Sequence, residues 1–126
     1  MTPEETIRAF LAALEVHDLE AAKTLLHPEF EMVFPGGAAF KRLEHLIDWT
    51  RPRYRNVVKR IERIDVANGA AFAQGTLHGQ WPDGAAFDGI RFADWFEFKG
   101  GLIRRQRVWN DLAEVRLRVD ASAKPP

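Results

Sequence analysis

Asp94 is the residue whose neighbours in the chain are hardest to explain by packing alone. Ile90, Phe92, Asp94, Phe96 and Phe98 alternate, so in a strand they share one face. The other set, Arg91, Ala93, Trp95, Glu97 and Lys99, is mostly polar. The phenylalanine face is therefore the core face, and it holds a carboxylic acid. Burying a carboxylate without partners costs several kcal/mol, so Asp94 must be protonated or paired. A protonated acid can donate a hydrogen bond to a substrate oxygen, and one with a raised pKa exchanges protons near neutral pH. A partner is offered by the next strand. With Gly100-Gly101 as a two-residue turn, Phe96 faces Arg105, Asp94 faces Arg107 and Phe92 faces Trp109. Directly opposed Cβ atoms lie ~4.5–5.5 Å apart, close enough for an Asp94–Arg107 ion pair, which lowers the acid's pKa. A one-residue bulge would turn Arg107 outward and restore the neutral acid. A structural carboxylate satisfied by Arg107 is the remaining alternative.

Other side chains could complete a site. Asp111 shares the inward face with Trp109 in that register, as a second pocket acid or as a strand-end cap paired with an arginine. Trp109 offers an indole N–H donor to a pocket, or is plain core. With Asp83-Gly84 as turn, Ala73 faces Asp94 and is flanked by Ala71 and Gly75; side chains this small leave volume above the acid. Met32, Phe34, Trp49 and Tyr54 can reach that volume from a short strand and a helix, while Phe92 and Phe96 flank Asp94 directly. His78 falls on the opposite strand face, and His17 and His27 sit at helix ends. The four histidines show no metal-type spacing, so no metal is expected. Arg51, Arg53 and Arg55 form a basic cluster, readable as a phosphate site or as a solvated helix end.

These residues need a scaffold. Residues 2–16 read as a helix: Thr2 and Glu5 form a capping box around Pro3, and Ile7, Phe10, Leu11 and Leu14 make one apolar stripe. Asp18 caps a second helix ended at His27-Pro28. Phe30–Phe34 is a short strand stopped by Pro35-Gly36-Gly37, and a third helix runs from Leu43 to Arg51. Residues 57–66 fit either helical or strand period. Residues 70–81, 87–99 and 102–112 read as strands. The outer sheet face then combines Phe72, Trp95 and Val108 with Gln74, Gln106 and Arg91, an aromatic density that suggests an interface. Helices followed by a run of strands mean α+β: a curved antiparallel sheet wrapped by three N-terminal helices into a cone with an apolar pocket. Residues 1–115 make a single domain, and 116–126 a flexible C-terminal tail.

Composition removes several classes of function. Eighteen basic against eighteen acidic residues leave no net pull toward nucleic acid or an acidic membrane. The absence of cysteine excludes a disulfide scaffold, a thiol nucleophile and thiolate metal sites. No apolar run approaches the ~20 residues of a membrane span, and the acidic N-terminus lacks a signal-peptide layout, so a cytoplasmic protein is expected. Nine phenylalanines beside a single tyrosine imply a large dry interior.

Several local motifs resemble the nuclear transport factor 2-like superfamily, with its SnoaL-like polyketide cyclases and ketosteroid isomerases. They are Phe10-Leu11-Ala12-Ala13-Leu14 with His17-Asp18-Leu19-Glu20, Leu25-Leu26-His27-Pro28-Glu29-Phe30, Asp94-Trp95-Phe96-Glu97-Phe98, Gly101-Leu102-Ile103 and Trp109-Asn110-Asp111. The resemblance spans roughly Glu4 to Leu112. Ketosteroid isomerases hold an enolate oxygen with a tyrosine and a protonated aspartate, and use a second aspartate as base. Carried over, the oxyanion aspartate falls on Asp94, the tyrosine on Phe10 and the base on Phe34, so one of three is kept. The Asp-Arg-Asp set of limonene epoxide hydrolases falls on Thr76, Gln74 and Val108, and none matches. The resemblance implies a cofactor-independent isomerase, lyase or cyclase acting on an apolar or polycyclic oxygenated substrate, with Asp94 as pocket acid and Arg107 and Asp111 beside it. It also implies a homodimer built through the outer sheet face. The alternative is a noncatalytic dimeric module that binds a small apolar molecule.

Overall fold

The computed structural model describes residues 1–123. Helix α1 (Pro3–Glu15) starts as its residues require: the Thr2 hydroxyl accepts from the Glu5 N–H, and the Glu5 carboxylate accepts from the Thr2 N–H. Its apolar stripe buries Ile7, Phe10 and Leu11. His17 takes a left-handed φ of 56°, and Asp18 caps the short helix α2 (Leu19–Lys23) through the Ala21 N–H. Strand β1 (Leu26–Phe34) begins four residues earlier than expected. The preference of a residue before proline for extended backbone here opens a strand at His27-Pro28. A turn at Pro35–Gly37, with Gly36 and Gly37 both at positive φ, leads to β2 (Ala38–Phe40) and then to α3 (Leu43–Thr50).

The stretch of double period is a strand, β3 (Asn56–Ala67). Asn68-Gly69 closes it onto β4 (Ala70–Gln80) with φ values of 54° and 74°, the left-handed pair that a two-residue hairpin turn demands. β5 (Ala86–Lys99) and β6 (Leu102–Asn110) are joined at Gly100-Gly101, as the spacing predicts. Residues 116–123, expected in a tail, belong to helix α4 (Leu112–Ala123); the rest of that stretch, 124–126, lies outside the described residues. Among these residues no helix is long and apolar enough to cross a membrane.

The six strands form one curved, open sheet in the order β2-β1-β6-β5-β4-β3. It is mixed, because β1 runs parallel to β6 while every other pair is antiparallel. Extra residues interrupt the ladders between Ile61 and Arg63, between Leu77 and Gly79, and between Glu97 and Phe98. Such bulges bend and twist a sheet, which lets it curl around the helices. One core cluster, centred on Ile7, Phe10, Leu43, Leu46 and Phe96, fills the space between the helices and the sheet. A second, built on Leu77, Trp81, Phe87, Ile90 and Phe92, closes the other end.

Candidate active site

The β4–β5 register places Ala73 opposite Asp94, with Ala71 opposite Phe96 and Gly75 opposite Phe92. Asp94 is fully buried. Next to it, β6 departs from the plain hairpin. Phe98 faces Ile103 but Glu97 faces Arg105, so Arg104 is the extra residue of a bulge. Everything beyond it changes face. Val108 now stands opposite Asp94 and Gln106 opposite Phe96, both buried.

Three expected pocket residues leave the site for this one reason. Arg107 faces Trp95 on the outer surface, its guanidinium 5.8 Å from the indole centroid. Trp109 is half exposed. Asp111, beyond the strand end, accepts from Arg91 Nε at 2.5 Å. The same shift takes Val108 and Gln106 off the outer face. Burying Arg105 and Arg107 would cost far more than burying Gln106 and Val108, and the bulge avoids it.

Lys59 on β3 is the actual partner of Asp94. It lies on the inner face with Val57 and Ile61, opposite Leu77, and its ammonium donates to Asp94 Oδ2 in a pair whose side chains are almost wholly buried. Ala73, opposite Asp94, and Gly75, opposite Phe92, lie on the intervening strand. The Gln106 amide donates a long hydrogen bond of 3.4 Å to the same oxygen. Among the described residues, Asp94 Oδ1 and Gln106 Oε1 are buried and meet no donor; a proton on Oδ1 would turn one of these two acceptors into a donor. Burial pushes the Asp94 carboxyl up, the Lys59 charge and the two hydrogen bonds pull it down, and the net direction is upward.

A cavity of about 170 Å³ opens between α1, α3 and the sheet. Leu11, Leu14, Phe34, Leu46, Ile47 and Val57 make it apolar, while Lys59, Gln106, Thr50 and Tyr54 are polar residues in its wall. Its exposed rim carries Glu15, His17, Arg51, Arg55 and Asn56. Asp94 does not itself line the cavity; it stands behind Lys59 and Gln106, and its charge reaches the space through them. Phe34 and Tyr54 line the cavity as expected. Phe10, Met32, Phe92 and Phe96 do not: all four are buried in the core clusters. Trp49 packs edge-on against Phe34 and Phe40, each centroid 5.6 Å away, and faces a separate groove. Burial raises the Tyr54 phenol to about 12, which keeps it a neutral donor.

The sequence does not single out Lys59, because residues 57–66 fit two periods. Read as a strand, Val57-Lys59-Ile61 puts a lysine on an apolar face, the same signal that singles out Asp94. Asn68-Gly69 is the local signal that favours the strand.

Four helices against a curved, open six-stranded sheet make the nuclear transport factor 2-like, ketosteroid isomerase-like fold. Within it, residues 7–106 match the SnoaL-like domain family, and the chain belongs to that family. Solved structures agree. TerC, crystallised with polyporic acid, superposes with a TM-score of 0.81 at 16% identity, over 92% of this chain and 96% of its own. IdmH from Streptomyces antibioticus, a candidate polyketide cyclase, gives 0.77 at 16% identity over 95% and 99%. A ketosteroid isomerase-like protein from Catenulispora acidiphila, in complex with trimethylamine, gives 0.71 at 21% identity over 86% of each chain. These likenesses are of fold. No curated protein sequence matches the chain.

Proposed function

We propose that the protein is a cofactor-independent enzyme that uses acid/base chemistry on a small, apolar, oxygen-bearing substrate. The observation that carries this reading is the Lys59–Asp94 pair, buried in the wall of an otherwise apolar cavity. A pair of that kind is an expensive way to hold a sheet together, since well-packed apolar residues often do so as well or better. An ammonium has three donors. With one given to Asp94, Lys59 can meet a substrate carbonyl oxygen and stabilise the negative charge that develops there on enolisation, which is worth most in a water-poor site. Tyr54, held neutral, is a second donor. Asp94 serves as the acid of the site through Lys59: it positions the ammonium, and its raised proton affinity lets the pair relay a proton. Enolate chemistry of this sort underlies isomerisation, dehydration and cyclisation. The co-crystal of TerC with polyporic acid and the standing of IdmH as a candidate polyketide cyclase support an oxygenated substrate for this fold.

The second reading is a noncatalytic binding module. It is favoured by Phe10 and Phe34, which stand where the isomerase resemblance puts the tyrosine and the base and which cannot move protons. A panel of a ketone, an enone and an epoxide separates the two, assayed for both binding and turnover. The enzyme reading expects turnover that Lys59→Met abolishes and Asp94→Asn lowers at least about a hundredfold, a few kcal/mol of transition-state stabilisation. Binding of the panel without turnover, unchanged by either substitution, would rule it out.

A homodimer through the outer sheet face is part of the proposal. Phe72 and Trp109 are each 52% exposed there, and Trp95 stands beside Phe72 in the same cross-strand row.

A further inference from the structure

The basic cluster Arg51, Arg53 and Arg55 divides between two places. Arg53 turns away from the cavity onto the face of Trp49, its guanidinium carbon 3.6 Å from the ring centroid, and donates to the Trp49 carbonyl at 2.6 Å. Arg51 and Arg55 stay on the cavity rim, both exposed. Their own bonds are light. Arg51 has a loose contact with Asp48 at 3.6 Å, and Arg55 gives one hydrogen bond of 3.2 Å to the Pro82 carbonyl. A guanidinium has five N–H donors, so among the described residues most of theirs meet no acceptor. Among the described cavity-lining residues Glu15 is the one carboxylate, and its Oε1 is turned to the Lys59 backbone N–H at 3.4 Å. The rim thus offers two arginines against Glu15, partly engaged, and Asp48, in loose contact with Arg51, and the wall within offers a lysine already matched by Asp94.

The cavity volume sets the size of what enters. A cavity of about 150 Å³ accommodates one benzene ring, and this one measures about 170 Å³. A single ring fills it, and the rest of any larger substrate must extend through the mouth past the two arginines.

We propose that the substrate is an amphipathic carboxylate: one ring-sized apolar body in the cavity, a carbonyl oxygen on Lys59, and a carboxylate at the mouth held by Arg51 and Arg55. The inference deepens the enzyme reading and rests on it for the placement of the carbonyl. Charge-assisted bonds from arginine to carboxylate are the strong ones among hydrogen bonds, and their partial exposure here leaves a preference of about tenfold for acid over ester, ~1.4 kcal/mol.

Isothermal titration of the whole chain with three probes tests it: 4-acetylbenzoate, its methyl ester and 4-isopropylbenzoate. The wild type is expected to bind 4-acetylbenzoate about tenfold more tightly than the ester. The double substitution Arg51→Gln with Arg55→Gln should bring the two to equal affinity. Lys59→Met should erase the advantage of 4-acetylbenzoate over 4-isopropylbenzoate, which lacks the carbonyl. Equal affinities of acid and ester in the wild type would overturn the rim assignment, and the reading of the pocket would survive if Lys59→Met still removed the carbonyl preference. An acid preference unmoved by the double substitution would also overturn it. Failure of the wild type to bind any of the three would overturn the pocket reading and the rim assignment together.

Discussion

Lys59→Met isolates the buried pair. The substitution keeps a stem of similar length and removes the ammonium, leaving Asp94 enclosed with one weak donor, Gln106. Breaking a buried pair from one side costs about 3–5 kcal/mol near neutral pH. The size of the loss must depend on pH. Burial holds the folded-state pKa of Asp94 above its ordinary value. The stability tied to its proton is therefore complete below that ordinary value and is lost as pH rises through the folded pKa. Without Lys59 the folded pKa climbs further, so the variant goes on losing stability over a pH range where the wild type no longer does. One proton changes stability by at most ~1.4 kcal/mol per pH unit. Over each pH unit that lies above the wild-type and below the variant folded pKa, the gap between the two proteins thus widens by up to ~1.4 kcal/mol, or roughly 4–8 °C in Tm for a chain of this size. Urea unfolding followed by tryptophan fluorescence, repeated from about pH 4 to about pH 9, reads this directly. The double variant Lys59→Met with Asp94→Leu should regain most of the loss, because the unpaired charge is gone. A wild-type-to-variant gap that stays constant across that whole pH range would refute the reasoning, since the charge on Asp94 would then not depend on Lys59.

Tyr54 is the sole tyrosine, so phenolate absorbance reports it alone: it should titrate at about 12 in the folded chain, and a midpoint at the ordinary value near 10 would place its hydroxyl in water. Its raised pKa also means that the associated stability is present below about pH 10 and fades as pH rises through about 12. Gly75→Ala should lower stability by about 1–3 kcal/mol in thermal melts, because a Cβ there would meet the Arg60 carbonyl oxygen at 1.9 Å; an unchanged Tm would mean that β3 can shift at its bulge. Phe72→Glu places a charge in the proposed dimer face and should yield a monomer by light scattering with its Tm little altered, whereas an unchanged mass would move the interface elsewhere.

Local chemistry alone determined much of this protein. Thr2, Pro3 and Glu5 start α1 because the orphan N–H groups of a helix need those partners, and Gly100-Gly101 turns β5 into β6 because few other residues accept its backbone. The alternation around Asp94 marks a buried acid, and the small residues Ala71, Ala73 and Gly75 lie beside it as their register requires. Each of these rests on contacts a few residues apart or on one strand's period. The partner of that acid rests on neither. Which face Arg107 and Gln106 take depends on one extra residue at Arg104, and the bulge is chosen by the total cost of burying two arginines, a comparison made only when the whole sheet closes. Lys59 reaches Asp94 across a strand that is not its own, over 35 residues of chain, so no local spacing encodes the pair. The division of Arg51, Arg53 and Arg55 between the cavity rim and Trp49 is likewise set by where α3 meets the sheet. A charge buried in a small domain has to find its counter-charge wherever packing brings one, and that place is a property of the assembled fold.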